Sequence, residues 1–207
     1  MVIANPNAPT GTLLPLSSIE EIIKRNTNSV VIIDEAYIDF GGESAIGLID
    51  KYENLLIVQT YSKSRSMAGM RIGFAFGSKK LIKYLNDAKF AFNSYTMNMP
   101  SLELGALAMR DTAHFNECVG KIVTTREWTK RELKRLGFIF GDSKTNFIFA
   151  KHESVPRDVI FKKLRENNIL VRAFNGERIK DYLRISIGTD GEMKIVIDVL
   201  EKILGEK

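Results

Sequence analysis

Three residues of the sequence belong to types that could do chemistry together. Asp34 ends the apolar run SVVIID, Tyr37 follows three residues later, and Lys63 lies between two serines directly after the run NLLIVQT. A lysine that is partly removed from water is a nucleophilic amine suited to Schiff-base formation. Each residue also has a plain structural interpretation, as a turn aspartate, a core tyrosine and a phosphate-binding or surface lysine.

Ser62 and Arg71 are candidate donors for a phosphate group, because a hydroxyl and a guanidinium fork both bind that dianion. Arg71 could equally form a surface ion pair. A pyridine that acts as an electron sink needs a carboxylate at its ring nitrogen, a donor at its ring oxygen, a lysine for its aldehyde and donors for its phosphate. Asp34, Tyr37 and Lys63, with Ser62 and Arg71, supply one of each. The residues alone make a pyridoxal-phosphate site one candidate among others.

Alternating strand and helix patterns in the first half of the chain must position these residues. The runs MVIA, SVVIID and NLLIVQT predict buried parallel strands, and RIGFAFG predicts another strand. The segment LSSIEEIIKRN predicts a helix, with a capping box formed by Ser17 and Glu20 or by Ser18 and Glu21. Because such sheets bind ligands at the carboxyl ends of their strands, we expect the loops NPNAPTG, DEAY and SK to share one edge.

The second half of the chain predicts a different arrangement. Helical patterns extend to a long helix over about residues 114–136 that ends at Gly137. After it, short strands in NFIFA, ILVRAF and YLRISIG alternate with helices. We therefore predict an α/β fold, with a partial large domain over 1–113, built on a mostly parallel sheet with helices on both faces. A smaller α+β domain, including the long connecting helix, is predicted over 114–207.

The composition excludes several classes of function. The 207 residues are 44% hydrophobic and carry a net charge of +5, which is ordinary for a globular protein. The basic residues of 121–135 alternate with glutamates, so they indicate a solvated helix face rather than a nucleic-acid surface, and no run has the length of a membrane span. Two histidines and one cysteine argue against a transition-metal site. The single Cys118 is compatible with a reducing cytoplasm.

The motifs NPNAPTG, IIDEAYIDF and TYSKSRSMAGMRIGF, in this order, resemble those of the pyridoxal-phosphate-dependent aminotransferases of fold type I. Among these enzymes the resemblance is strongest to the histidinol-phosphate aminotransferases. It implies that Lys63 binds the aldehyde of pyridoxal 5'-phosphate, that Asp34 pairs with the pyridine nitrogen and that Tyr37 donates to the ring oxygen. It also implies that Ser62 and Arg71 hold the cofactor phosphate.

The resemblance extends to YLRISIGT near the end of the chain, where Arg184 matches the arginine that binds the substrate anion. Without the resemblance, Arg184 would be an exposed strand arginine. The implied reaction is transamination of histidinol phosphate with 2-oxoglutarate by a homodimer, with Lys63 as the general base and Arg184 on the substrate phosphate.

Two features depart from the family pattern. The asparagine that usually precedes Pro-Thr-Gly is replaced by Ala8, and we expect Asn7 to donate to the ring oxygen in its place. The resemblance also begins in the middle of the family's large domain. We expect the parts that normally come before it, among them a helix N-terminus for the cofactor phosphate, to be missing. A chain of this kind is expected to bind the cofactor weakly and to turn over slowly or not at all.

Other interpretations remain open from the sequence. Another amino-acid aminotransferase and a threonine-phosphate decarboxylase have the same motifs, and a non-catalytic interaction module could keep the same fold. A dinucleotide-binding domain is disfavoured because no G-x-G-x-x-G follows a strand. His114 and His152 are expected to be surface or structural residues, and Cys118 to pack in the long helix.

Overall fold

Residues 1–205 are described by the structure, a computed structural model, and they divide into two units according to their internal contacts. The first unit comprises Met1–Asn7 and Leu13–Val119. The second comprises Ala8–Thr12 and, among the described residues, 120–205. The domain boundary between residues 113 and 114 stays a prediction.

A four-stranded sheet forms the centre of the first unit. In sheet order its strands are β1 (Val2–Ala4), β2 (Val31–Asp34), β3 (Leu55–Thr60) and β4 (Gly73–Gly77). The first three strands are parallel, and β4 pairs antiparallel with β3. The predicted α/β class with a mostly parallel sheet is confirmed, and the antiparallel strand lies at one edge.

Helix α1 (Leu16–Arg25) packs on this sheet through Ile19 and Ile23, which are four residues apart and fully buried. Residues that alternate along β2 and β3 form the opposing surface, as the two-residue period of a strand requires. The predicted capping box is wrong. The helix begins at Leu16 after Pro15, so the two serines lie inside its first turn and no side chain caps it.

Short helical turns and three longer helices complete the first unit. Two 3₁₀ helices, Ile38–Phe40 and Ala45–Leu48, follow β2. A third 3₁₀ helix, Ala68–Met70, precedes β4. The longer helices are α2 (Lys79–Phe92), α3 (Met99–Arg110) and α4 (Thr112–Arg135), and α4 continues into the second unit.

The second unit is built on an antiparallel sheet. Its strands, in sheet order, are β5 (Phe138–Phe140), β6 (Phe147–His152), β8 (Leu183–Ser186) and β7 (Arg172–Ala173). Helices α5 (Arg157–Glu166) and α6 (Asp190–Gly205) pack with the end of α4 around one apolar core. Strand β5 was not predicted, because FIF is too short a run to stand out.

A polar network joins α4 to the loop after β5 within the second unit. Lys130 is 8% exposed, and its Nζ lies 2.9 Å from Glu127 Oε1 and 2.7 Å from Asp142 Oδ1. The hydrogen bond from Lys130 holds the pKa of Asp142 below its usual range. Such pairing is what allows a lysine to be nearly buried.

Within residues 1–205, no helix combines the length and the apolar character that crossing a bilayer would require.

Candidate active site

The ends of four strands meet at one edge of the first sheet. Asp34, the last residue of β2, lies beside the ends of β1 and β3, and its carbonyl accepts a hydrogen bond from the Asn5 amide at 2.8 Å. Strand β4 runs in the opposite direction, so its first residue, Gly73, pairs with Thr60 at the end of β3. The loops that contain the predicted residues therefore open onto the same edge, as expected for a ligand site in such a sheet.

The two neighbouring acids Asp34 and Glu35 have different surroundings. Glu35 is 2% exposed, and its carboxylate accepts hydrogen bonds from Ser44 Oγ, the Ala45 amide and Gln59 Nε2 at 2.6–2.8 Å. The half-buried Asp34 accepts one from the Ala36 amide at 3.0 Å through Oδ1. An ionised carboxylate has about four acceptor sites. Glu35 is thus a structural residue, and Asp34 retains acceptor capacity for a ligand.

Lys63 and Tyr37 are brought together by the structure. The Lys63 Nζ lies 5.3 Å from the centroid of the Tyr37 ring, a cation–π distance. Both side chains are half-buried, and Tyr37 lies in the turn between β2 and the first 3₁₀ helix. The amine and the phenol predicted for one site are therefore neighbours.

Ser62 lies at the beginning of the loop that contains Lys63. Its amide donates to Thr60 Oγ1 at 3.1 Å, and the two hydroxyl oxygens lie 3.0 Å apart. The Ser66 amide donates to the Lys63 carbonyl at 3.1 Å and closes a turn in which Ser66 has a φ of 55°. This left-handed backbone conformation is unfavourable for residues other than glycine, asparagine and aspartate. The loop is a tight, locally strained turn.

Arg71 lies on the other arm of the same loop. The Tyr61 amide donates to the Ile72 carbonyl at 3.1 Å, which brings Ser62 and Arg71 next to each other. Arg71 is exposed, has a φ of 57°, and donates from Nη1 to the Ala68 carbonyl at 2.8 Å. Its fork has five donors, so one hydrogen bond within the loop leaves others for an anion.

Helix α3 supports this loop, which the sequence analysis did not foresee. Tyr61 Oη donates to the Gly105 carbonyl at 3.3 Å, and Ser101 Oγ donates to the Met70 carbonyl at 2.9 Å. Ser101 and Gly105 are small, buried and four residues apart, so they lie on one face of the helix. The four-residue spacing of these small residues is the sequence feature from which this contact could have been predicted.

Asn5 and Asn7 of the motif NPNAPTG differ in role. Asn5 is 3% exposed, and its side chain accepts from the Leu14 amide at 2.8 Å and donates to the Leu14 carbonyl at 3.2 Å. These contacts make Asn5 structural. Asn7 is half-buried in the first unit, and its contact with a ring oxygen stays a prediction.

Arg184 of the second unit is half-buried rather than exposed, so the expectation drawn without the resemblance is wrong. Its Nε is buried and has no hydrogen-bond partner among residues 1–205. The guanidinium carbon lies 4.9 Å from the centroid of the Phe147 ring and 5.9 Å from that of Phe174. A buried donor without a partner is a costly arrangement that a bound acceptor would relieve.

Arg172 lies directly opposite Arg184 in the pairing of β7 with β8. Its guanidinium carbon lies 5.3 Å from the centroid of the same Phe174 ring. Like charges opposite each other in adjacent strands repel. An anion bound by both guanidinium groups would reduce this repulsion. Arg172 was not predicted as a site residue because ILVRAF has the pattern of an ordinary strand.

Comparison with known proteins shows which class this fold and these loops belong to. Residues 1–200 match the family described as aminotransferase class I and II. The chain therefore belongs to that family of pyridoxal-phosphate-dependent enzymes, and the family predicted from the three motifs is confirmed.

Particular relatives narrow the comparison. The chain is 53% identical over 205 residues to the histidinol-phosphate aminotransferase of Clostridium botulinum (strain Okra / Type B1), a match that covers 99% of this chain and 58% of the relative. The crystal structure of the histidinol-phosphate aminotransferase from Clostridium acetobutylicum is 25% identical, with a TM-score of 0.90, over 100% of this chain and 64% of that one. The chain thus spans 58% of the length of the curated relative.

A third comparison concerns the fold alone. The histidinol-phosphate aminotransferase from Sinorhizobium meliloti, solved in complex with pyridoxal-5'-phosphate, has a TM-score of 0.87 at 21% identity, over 99% of this chain and 56% of that one. Its backbone follows that of the present chain closely.

Proposed function

We propose that this chain supplies Lys63 and its neighbouring loops to a pyridoxal-phosphate site, in an enzyme that transaminates histidinol phosphate with 2-oxoglutarate. The single observation that carries the proposal is the juxtaposition of Lys63 with Tyr37 at the sheet edge where Asp34 also ends its strand. The 53% identity to an enzyme named for this activity supports the choice of substrate.

The donors at this edge fit the cofactor by their chemistry. Asp34 is a carboxylate with spare acceptor capacity and holds the protonated ring nitrogen. Tyr37 and Asn7 donate to the ring oxygen. Ser62 and Arg71, which lie next to each other across one loop, bind the phosphate.

Pyridoxal phosphate, when bound, supplies an electron sink for the pair of electrons released at the substrate carbon. Lys63 has two tasks in the proposal. Its Nζ would hold the cofactor by its aldehyde and, once the amino group of the substrate had taken its place there, would be the base for the proton on the substrate carbon that bears the amino group. The neighbouring Tyr37 ring would help to position the amine, and Asp34 would keep the ring nitrogen of the cofactor protonated.

Arg184 is proposed to bind the phosphate of the amino substrate, with Arg172 as the second cation. The guanidinium groups of Arg172 and Arg184 both lie against the Phe174 ring, and the buried Nε of Arg184 lacks a partner among residues 1–205. Two such cations are suited to binding a dianion. A carboxylate carries a single negative charge and would neutralise only one of the two guanidinium groups. The pair therefore favours a phosphorylated amino substrate over an ordinary amino acid.

Self-association is proposed to occur through α2 and α3. Helix α2 has no buried residue, and α2, α3 and the segment between them expose a series of large apolar side chains. These are Tyr84, Leu85, Phe90, Phe92, Tyr95, Met99, Leu102, Leu104, Leu107 and Met109. Exposed apolar residues in such number indicate an interaction surface, and we propose a homodimer in the cytoplasm.

The experiment that tests the cofactor site is an absorption spectrum of the purified chain with added pyridoxal phosphate, before and after borohydride. We expect a visible band that disappears on reduction, with the cofactor then found on the peptide that contains Lys63. Lys63→Ala should abolish this labelling, and Lys51→Ala, which removes an exposed lysine of the same unit, should not. Labelling spread evenly over surface lysines would contradict the proposal.

Turnover is measured on the same preparation with histidinol phosphate and 2-oxoglutarate. We propose that the 207-residue chain by itself binds the cofactor weakly and transaminates slowly or not at all. Rapid transamination by this chain would overturn that part of the proposal. A preference for a substrate without a phosphate would overturn the assignment of the arginine pair.

A further inference from the structure

We propose that Arg65 is a positioning residue for Lys63, acting by holding the lysine loop against the C-terminal turn of α3. The inference rests on the proposed role of Lys63 in cofactor binding and goes beyond it, since Arg65 is not a ligand of any group in that proposal. Its side chain contacts α3 and α4.

The contacts of Arg65 are short and specific. Its Nη1 donates to the Ala108 carbonyl at 2.5 Å, and its Nη2 lies 3.5 Å from Met109 Sδ. The guanidinium carbon lies 4.2 Å from the centroid of the Phe115 ring and 5.2 Å from that of Tyr61. The planar cation thus contacts two rings and a helix terminus at once, which an ammonium group cannot do.

The position of Ala108 explains why a cation is suitable there. Helix α3 ends at Arg110, so the Ala108 carbonyl belongs to the last turn, whose carbonyls lack partners within the helix. A guanidinium at this place satisfies one carbonyl and interacts favourably with the negative end of the helix dipole. Arg65 therefore caps α3 from a different segment of the chain.

The turn transmits this anchoring to Lys63. The Ser66 amide binds the Lys63 carbonyl at 3.1 Å, and the Met67 amide binds the Tyr61 carbonyl at 3.0 Å, so Arg65 lies inside a closed turn two residues after the lysine. The strained Ser66, with a φ of 55°, persists only where its surroundings fix it. Without the anchor, the turn gains alternative conformations and the Lys63 amine loses its fixed place beside Tyr37.

Fixing a nucleophile in place raises its rate of reaction, because less freedom is lost when the bond forms. Arg65 would therefore affect where the cofactor reacts, as well as how stable the unit is. A purely structural arginine would lower stability and leave the selectivity for Lys63 unchanged. The two roles make different predictions.

The test uses the 207-residue chain with Arg65→Met, which keeps length and loses charge and planarity, and Arg65→Lys, which keeps charge. Arg110→Met, at an exposed arginine of the same helix end, is the matched control. The first readout, which needs no cofactor, is hydrogen exchange at the Ser66 and Met67 amides. The second is the fraction of borohydride-trapped pyridoxal phosphate found on Lys63 relative to other lysines.

For Arg65→Met we expect faster exchange at both amides and selectivity for Lys63 reduced on the order of tenfold. We expect Arg65→Lys to lie between it and the wild type, and Arg110→Met to match the wild type. A third variant, Arg65→Ala, leaves space where the guanidinium group was, and added guanidinium ion, at a concentration that leaves the wild type unchanged, should restore its selectivity for Lys63. Exchange or selectivity that stays at the wild-type value in Arg65→Met would overturn the inference. If the wild type itself shows no selectivity for Lys63, the proposed function fails, while exchange still decides whether Arg65 holds the loop.

Discussion

The Nζ of Lys63 lies 5.3 Å from the centroid of the Tyr37 ring, although the two residues belong to loops that follow different strands. The pairing of β2 with β3 produces this neighbourhood, because it aligns Asp34 with Val58 and so sets both loops at one edge. The amine therefore has a fixed aromatic neighbour.

Tyr37→Ala is expected to weaken binding of pyridoxal phosphate more than Tyr37→Phe does, because only alanine removes the ring beside Lys63. The ring contact is worth about 2- to 5-fold in affinity, as for exposed cation–π pairs. Titration of the cofactor band measures the dissociation constants. Ile46→Ala, which removes an exposed apolar side chain of the same unit, serves as the control. Equal affinities for the phenylalanine and alanine variants would contradict the role of the ring.

Gly11→Ala is expected to destabilise the second unit by about 1–3 kcal/mol. Gly11 has a φ of 76°, and a Cβ there would lie 2.5 Å from Ser143 Oγ and 3.2 Å from Ser143 Cα. Gly141→Ala is the matched control, since a Cβ at Gly141 meets no atom within 4 Å. Urea unfolding compares the two variants, and equal stability would show that the loop yields without strain.

Ser66→Gly is expected to stabilise the first unit by about 0.5–1 kcal/mol, because glycine adopts a positive φ without the steric cost that serine has. Ala68→Gly, two residues after Ser66 and at a position without a positive φ, should instead destabilise the unit by a similar amount. Thermal unfolding of both variants checks the signs. A loss of stability in Ser66→Gly would mean that the serine side chain contributes contacts that outweigh the strain.

Asp142→Asn is expected to lower stability near neutral pH by less than about 1 kcal/mol, since the carboxylate is largely exposed. The hydrogen bond from Lys130 lowers the pKa of Asp142 in the folded protein. Its stabilisation is therefore present above the unfolded-state pKa of about 3.9 and is lost as pH falls through the lower folded-state value.

Urea unfolding of the Asp142 variant across this acidic range measures the effect. The difference from the wild type should shrink as the pH falls, and Asp50→Asn, at an exposed aspartate, should show a smaller difference at every pH. A difference for Asp142→Asn that stays constant into acid would exclude the ion pair as its cause.

Apolar runs were sufficient to predict the four strands of the first sheet and the edge at which their loops meet. SVVIID and NLLIVQT are buried, β-branched segments whose period and flanking loops leave little choice of structure, so the position of Asp34 at a strand end followed directly. Family motifs then supplied the identity of the cofactor. Local sequence and recognisable motifs were enough for this part.

Long-range contacts were beyond prediction from a single sequence. The hydrogen bond of Arg65 to Ala108 joins residues 43 apart, and nothing in SKSRS indicates which helix end will be nearby. The capping box failed because Pro15 fixed the helix start earlier than Ser17. Arg172 was not predicted because its proposed role in anion binding depends on its position opposite Arg184, and that register exists only in the folded sheet.

The antiparallel direction of β4 has a consequence for how the site is assembled during folding. Lys63 and Arg71 lie on one connection, residues 61–72, between strands that pair as a hairpin. The entropy lost on closing a loop grows with its length, so this hairpin closes more easily than the crossover that joins β1 to β2. We expect the amine and the guanidinium to become neighbours early, through local contacts, and the carboxylate of Asp34 to join them only when the slower parallel pairing is complete.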